Sequence, residues 1–256
     1  MSKIVFFDID GTLLNHNKAI PESAKKAVQQ LKEQNVFVAI ATGRAPFMFE
    51  ELRKELDIDS FVSFNGQYVV FENEPIYKNP LNQEALTKLH KRARSHHHPL
   101  VFLNEREMKA DILEDDMVTE AMGSLRFSHP DKDETYYLKN EVYQSLLFCT
   151  EEWQLEYEKE FDAFKFIRWH EYSIDVIPKG GSKAEGIKHM LKRIGFELKD
   201  SFAFGDGLND IEMLEAVGTG VAMGNGAEEV KRHADFVTKD VDEDGLVYGL
   251  KAVGLL

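Results

Sequence analysis

The sequence predicts an α/β fold in which a parallel-sheet core, residues 1–80 and 179–256, carries an inserted α/β domain, residues 81–178. Three observations predict it. Strand and helix signals alternate along the first part of the chain, and the same alternation returns in the last part. The stretch between them differs in character, holding most of the histidines, both tryptophans, and strands in hairpin-like contexts.

The apolar run KIVFF opens the chain as a buried strand. In SAKKAVQQLKEQN the residues Ala24, Ala27, Val28 and Leu31 recur at helical spacing, with Pro21 just ahead, where its missing N–H costs little. Val36 to Ala41 reads as a second strand, FMFEELRKEL as a second helix, and Phe61 to Phe64 as a third strand. Strands apolar on both faces with helices between them indicate a parallel sheet of right-handed crossover units. The insertion begins near YKNPL and returns near VIPKGGSK, each joint marked by a proline and the second also by a Gly-Gly pair. Within it, FKFIRWHEYSIDVIP has the look of a hairpin. After it come AEGIKHMLKRIG as a helix, SFAFGD as a strand, IEMLEAV as a helix, and TGVAM and ADFVT as two short strands. There is no internal repeat or low-complexity tract.

With 256 residues, 43% hydrophobic and 30% charged, the chain has enough apolar material for one or two cores. A formal charge of −14, from 31 basic and 45 acidic residues without a basic cluster, argues against nucleic acid or an anionic membrane as partner. No apolar run approaches a membrane span, and the N-terminus lacks a signal-peptide layout, so the expected location is cytoplasmic. The single cysteine, Cys149 in SLLFCT, is read as core and agrees with a reducing compartment. An acidic protein that handles small anions needs a local positive charge, which a bound metal can supply.

Four segments carry the chemistry. In IVFFDIDGTLL, residues two apart in an extended strand point to one side, so Asp8 and Asp10 would converge, with Gly11 permitting the turn that follows. Paired carboxylates are costly unless a cation joins them or one is protonated, and Mg²⁺ suits carboxylates plus phosphate oxygens; DxD also occurs in ordinary turns. In AIATGRA, the hydroxyl of Thr42 and exposed N–H groups around Gly43 and Arg44 can hold phosphate oxygens, or merely form a helix-entry turn. Lys183 starts a helix, against the helix dipole, and so calls for an anionic neighbour unless it is simply solvated. In FAFGDGLNDIEML, Asp206 ends a buried strand while Asn209 and Asp210 lie in the turn that opens the next helix, a spacing that a purely structural turn would not require.

These segments, together with SFNGQYV, KGGSKAEGI, GVAMGNG and ADFVT, resemble the haloacid dehalogenase-like (HAD) hydrolase superfamily, and within it the Cof-type phosphatases. The resemblance spans essentially the whole chain. It implies a Rossmann-like core with a large α/β cap of type IIB inserted after the third strand, and a Mg²⁺-dependent phosphatase acting on small phosphate monoesters. By the same resemblance Asp8 is the nucleophile that forms an aspartyl-phosphate, and Asp10 is the general acid/base. Mg²⁺ is held by the Asp8 carboxylate, the Asp10 backbone carbonyl and Asp206, with Asp210 in support. Ile9 (through its N–H), Thr42, Gly43, Lys183 and Asn209 hold the phosphoryl oxygens. The cap closes over the site and selects among substrates such as sugar phosphates, flavin mononucleotide (FMN) or pyridoxal phosphate.

The alternatives are a phosphomutase, which shares the chemistry, and a receiver-type module that holds a phosphorylated Asp as a switch; the second Asp, the GDGLND turn and the long insertion all disfavour the latter. Within the insertion, His96-His97-His98 is read as a solvated loop, Trp153 and Trp169 as cap core, and EDDM and DKDE as exposed acidic turns.

Overall fold

The computed structural model describes residues 3–256. Thirteen strands are named in chain order: β1 (Ile4–Phe7), β2 (Phe37–Ala41), β3 (Phe61–Ser63), β4 (Tyr68–Phe71), β5 (Glu74–Lys78), β6 (Leu100–Leu103), β7 (Met108–Ala110), β8 (Gln144–Phe148), β9 (Phe164–His170), β10 (Ser173–Pro178), β11 (Ser201–Gly205), β12 (Thr219–Ala222) and β13 (Phe236–Val237). The chain divides into two compact units. One comprises residues 3–44, 49–77 and 182–256, the other 45–48 and 78–181.

The first unit holds an eight-stranded sheet in the order β13-β12-β11-β1-β2-β3-β4-β5. From β13 through β3 neighbouring strands run parallel, as strands joined by helical crossovers must. All four residues of β1 are buried, because helices cover both faces of a central parallel strand. On one side the helix Glu22–Glu33 turns Ala24, Ala27, Val28 and Leu31 inward. Another helix, Lys183–Ile194, turns in Ala184, Ile187, Met190 and Leu191.

Two details depart from the expected layout. The β3–β4 pair is antiparallel, and β4 and β5 extend the sheet before the chain enters the second unit, so the insertion follows the fifth strand and not the third. The reversal is made at Phe64, Asn65 and Gly66, which all take left-handed backbone angles, φ 52°, 50° and 98°. A bulky residue such as phenylalanine rarely adopts that region, so composition alone gives little sign of a turn there. The segment read as one second helix begins as a 3-10 turn, Pro46–Phe49, before the α-helix Glu50–Leu56.

Register fixes the functional edge of this sheet. Phe7 pairs with Ile40 of β2 and with Phe204 of β11, so the three strands end within one residue of one another. The residues that follow those ends are Asp8, Thr42 and Asp206, which therefore emerge on the same C-terminal edge. The Asp8 amide still donates to the Phe204 carbonyl (3.0 Å) and the Thr42 amide to the Val62 carbonyl (2.8 Å), which pins both residues to the sheet.

The second unit is built on an antiparallel sheet, β7-β6-β8-β10-β9. Its core packs Leu89, Phe102, Leu147, Cys149, Tyr157, Ile174 and Val176, with Trp153 partly buried against it. Burial pushes the Cys149 thiol up to about 11, consistent with a packing role. Trp169 is half-buried and is not among the residues of that cluster. The histidine run is a correction to the sequence reading. His97 is exposed, but His98 is buried, with Nδ1 2.7 Å from the Tyr157 hydroxyl and its ring edge-on to Trp153. EDDM serves as a helix start, where the Asp115 side chain accepts from the Val118 amide. Among the described residues no helix is long and apolar enough to cross a membrane.

Candidate active site

The strand ends before its charges begin. Since β1 stops at Phe7, the alternation that would have sent Asp8 and Asp10 to one side no longer applies, and the two carboxylates take different partners. Asp8, 7% exposed, accepts from Lys183 Nζ at 2.5 Å; the same ammonium donates to Asp210 Oδ1 at 2.6 Å. Asp10 instead receives a two-pronged contact from Arg44 (Nε to Oδ2 2.8 Å, Nη2 to Oδ1 2.7 Å) and one from Lys18 Nζ to Oδ1 at 2.6 Å. Gly11, at φ 79°, makes the turn that follows Asp10, and a β-carbon there would overlap the Asp206 carboxylate.

The acidic turn after β11 is organised by Asp210. Its Oδ2 accepts from the amides of Asp206 (3.0 Å) and Gly207 (2.8 Å), so this fully buried side chain both shapes its own turn and faces Lys183. Asp206 accepts from Thr12 Oγ1 and from Asn225 Nδ2, each at 3.3 Å. The Asn225 side chain also donates to the Gly11 carbonyl (2.9 Å) and accepts from the Val241 amide (2.9 Å), tying the first and last loops of the edge together. Asn209 donates to Asn65 Oδ1 at 3.0 Å. Thr42 is buried, and its Oγ1 accepts from the Arg44 amide at 3.1 Å; Ile9 is fully buried behind the turn.

Carboxylate oxygens of Asp8, Asp206 and Asp210 lie within 4.8 Å of one another. Their electrostatics show a shortage of positive charge. Asp8 titrates well above the usual carboxylate range, chiefly through burial, with Asp210, Asp206 and Asp10 adding to the rise and Lys183 opposing it. Burial, and then the Asp210 charge, push Asp206 up to about 7. Lys183 stays charged although burial works against it, because Asp210 and Asp8 outweigh that cost and raise it above its ordinary value. For Asp10 burial again favours the neutral form, but the Arg44 and Lys18 contacts prevail and hold the carboxyl below its ordinary value. An all-oxygen donor set around one ammonium suits a hard divalent cation such as Mg²⁺, which would relieve the excess negative charge.

The edge therefore brings together Asp8, Asp206, Asp210 and Lys183, with Thr42 and Gly43 on the adjoining loop and Asn209 on the acidic turn. It adds residues that the sequence reading did not assign a role: Thr12, Lys18, Asn65 and Asn225, and the Arg44 guanidinium as partner of Asp10. Asn65 and Asn225 sit in SFNGQYV and GVAMGNG, motifs that mark the resemblance, whereas Lys18 lies in a loop with no distinguishing pattern.

Sheet order, the edge on which these carboxylates gather and the buried lysine together define a hydrolase of the phosphoryl-transfer type on a HAD core. The chain belongs to the haloacid dehalogenase-like hydrolases, whose family profile matches residues 5–250, and it is a phosphatase of the Cof type. It is 52% identical over 255 residues to the YkrA protein of Bacillus subtilis (strain 168), covering 100% of this chain and 99% of that one. It is 27% identical over 252 residues to YcsE of the same organism, a 5-amino-6-(5-phospho-D-ribitylamino)uracil phosphatase, covering 97% and 94% of the two chains. Among solved structures it matches the HAD subclass IIB sugar phosphatase BT4131 with a TM-score of 0.90, at 32% identity and 100% coverage of both chains.

Proposed function

We propose that the protein is a Mg²⁺-dependent phosphatase of small phosphate monoesters that works through an aspartyl-phosphate on Asp8. The observation that carries this reading is the buried Lys183 ammonium held between the Asp8 and Asp210 carboxylates at the mouth of the sheet. A fully buried lysine in that position keeps a carboxylate oriented and leaves a positive charge where a phosphoryl oxygen would arrive.

In the first half-reaction an Asp8 oxygen attacks phosphorus and the ester P–O bond breaks, while Asp10, which takes up a proton from solvent as it leaves its Arg44 and Lys18 contacts, passes that proton to the departing alkoxide. In the second, Asp10 takes a proton from water, the resulting hydroxide attacks phosphorus, and the Asp8–phosphorus bond breaks to release inorganic phosphate. The Ile9 and Gly43 amides, Thr42, Lys183 and Asn209 bind the phosphoryl oxygens. Mg²⁺, held by the Asp8 carboxylate, the Asp10 backbone carbonyl and Asp206 with Asp210 in support, supplies neutralising charge to the phosphoryl group when bound. To reach the leaving oxygen Asp10 exchanges its Arg44 and Lys18 contacts for the substrate. Residues 81–178 serve as the specificity domain.

For the substrate, the relatives support a phosphate carried on a sugar or sugar-alcohol carbon, since one is named a sugar phosphatase and another for a phosphoribityl compound. A panel of hexose phosphates, pentitol phosphates, FMN and pyridoxal phosphate, ranked by kcat/KM, tests this. Turnover of only non-polyol phosphates would overturn the substrate class. Formation of hexose bisphosphate in place of free phosphate would replace hydrolysis by a mutase reaction.

A further inference from the structure

The turn Phe64–Asn65–Gly66 belongs to none of the four chemical segments, yet it touches three of them. The Phe64 amide donates to the Arg44 carbonyl (3.2 Å) and the Asn65 amide to the Thr42 carbonyl (3.0 Å), so the turn holds the loop bearing Thr42 and Gly43. A β-carbon on Gly43 would come within 3.0 Å of the Asn65 side-chain amide, and one on Gly66 would overlap the Ser182 carbonyl at the start of the Lys183 helix. The Asn65 side chain, 1% exposed, accepts from Asn209 Nδ2 at 3.0 Å. Three consecutive left-handed residues, one of them phenylalanine, are costly backbone and persist only where the surroundings fix them.

We propose that Asn65 is a positioning residue that determines which end of the Asn209 side-chain amide faces the phosphoryl group. The two ends of a primary amide have nearly the same shape but opposite hydrogen-bonding character, and only the NH₂ end can bind a phosphate oxygen. By accepting one Asn209 N–H, Asn65 Oδ1 fixes the NH₂ end toward this part of the edge and leaves the second N–H for the anion. An amide left to choose its own orientation would present its carbonyl oxygen to the phosphate part of the time, and that orientation repels. The backbone of the turn carries the same order to the Thr42–Gly43 loop. This inference rests on the assignment of Asn209 to the phosphoryl group.

The test uses inorganic phosphate as competitive inhibitor of the Mg²⁺-loaded enzyme and compares Asn65→Gly, Asn65→Asp, Asn209→Ala and the two double variants, Asn65→Gly/Asn209→Ala and Asn65→Asp/Asn209→Ala. Glycine tolerates the left-handed angle and deletes the acceptor, whereas aspartate tolerates the angle and keeps it. The expected result is a rise of about three- to tenfold in the phosphate Ki for Asn65→Gly, the scale of one hydrogen bond. In the Asn209→Ala background the same change should alter Ki by less than about twofold, the mark of a residue that acts through its partner. Asn65→Asp should retain Asn209 dependence, so that Asn209→Ala still weakens phosphate binding in its presence. A Ki rise from Asn65→Gly that persists undiminished without the Asn209 side chain would overturn the inference alone. An unchanged Ki in Asn209→Ala would overturn the assignment of Asn209 and the inference with it.

Discussion

Replacing Lys183 by methionine keeps the length of the side chain and removes its charge. The ammonium is completely buried and donates to Asp8 at 2.5 Å and to Asp210 at 2.6 Å. At an effective dielectric constant of about 20, each contact is worth roughly 6 kcal/mol of Coulomb attraction before desolvation is charged against it. Desolvating the ammonium removes much of that sum, but truncating one partner of a buried ion pair still costs about 3–5 kcal/mol, because the carboxylates left behind are unpaired. Asp210→Asn in the same background removes one of them, so the double variant should recover part of the loss, with a coupling of about 2 kcal/mol. Trp153 and Trp169 lie in the second unit, so their fluorescence does not read this change. Urea-dependent hydrogen exchange at the amides of β1 and β11, in metal-free buffer at pH 7.5, does. A Lys183→Met loss below about 1 kcal/mol, or additive effects of the two substitutions, would refute the claim that Lys183 holds this edge together.

Asp8→Asn should abolish turnover, and Asp10→Asn should lower kcat by about two to four orders of magnitude while Mg²⁺ affinity, read by calorimetry, stays within a few-fold. Chelation by EDTA should stop hydrolysis and lower the melting temperature. Mg²⁺ at about a hundred times its Kd should restore about 2.7 kcal/mol of stability, and a melting curve indifferent to the metal would count against the Asp8–Asp206–Asp210 site. In the second unit, burial first, and then the charges of His96, Arg92 and His97, lower His98 from 6.5 to about 4. The unfolded chain then binds the extra proton between those values, so stability is complete above pH 6.5 and falls by up to about 3 kcal/mol as pH drops toward 4. Urea unfolding followed through Trp153, which packs against the His98 ring at 4.8 Å, should show this slope, and His98→Gln should flatten it.

The sequence revealed what local pattern encodes. A buried strand that ends in Asp8, a helix that begins on Lys183 and an acidic turn at Asp206 to Asp210 each break a regular pattern within a few residues, and such breaks are visible without a fold. The links between these segments were not visible. Asn209 and Asn65 are 144 residues apart, and Asn225 and Gly11 are 214 residues apart, so their hydrogen bonds exist only once the sheet order is set. The antiparallel return at β4 is hidden in the sequence because its turn starts on a phenylalanine at φ 52°, where tertiary packing overrides preference. His98 reads as part of a loop ahead of the strand PLVFL, and only the second unit's own packing against Tyr157 and Trp153 buries it.

Two neighbouring aspartates that share a motif but not a partner also suggest an order of binding. In one group the carboxylates of Asp8, Asp206 and Asp210 gather around the single ammonium of Lys183. In the other the single carboxylate of Asp10 faces both Arg44 and Lys18. The first group has too little positive charge, which together with burial raises Asp8 and Asp206 above the usual carboxylate range. A phosphoryl dianion brought to that group before a cation meets like charge. Brought after one, it finds a neutralised site, with the Arg44 guanidinium and the Lys18 ammonium held nearby on Asp10. Metal and phosphate should therefore bind with positive coupling, each strengthening the other by the same factor. Phosphate Kd values measured with and without Mg²⁺, set against Mg²⁺ Kd values measured with and without phosphate, close that cycle. Equal phosphate affinity in the two conditions would mean that the excess charge on the Asp8 side is relieved by protons alone.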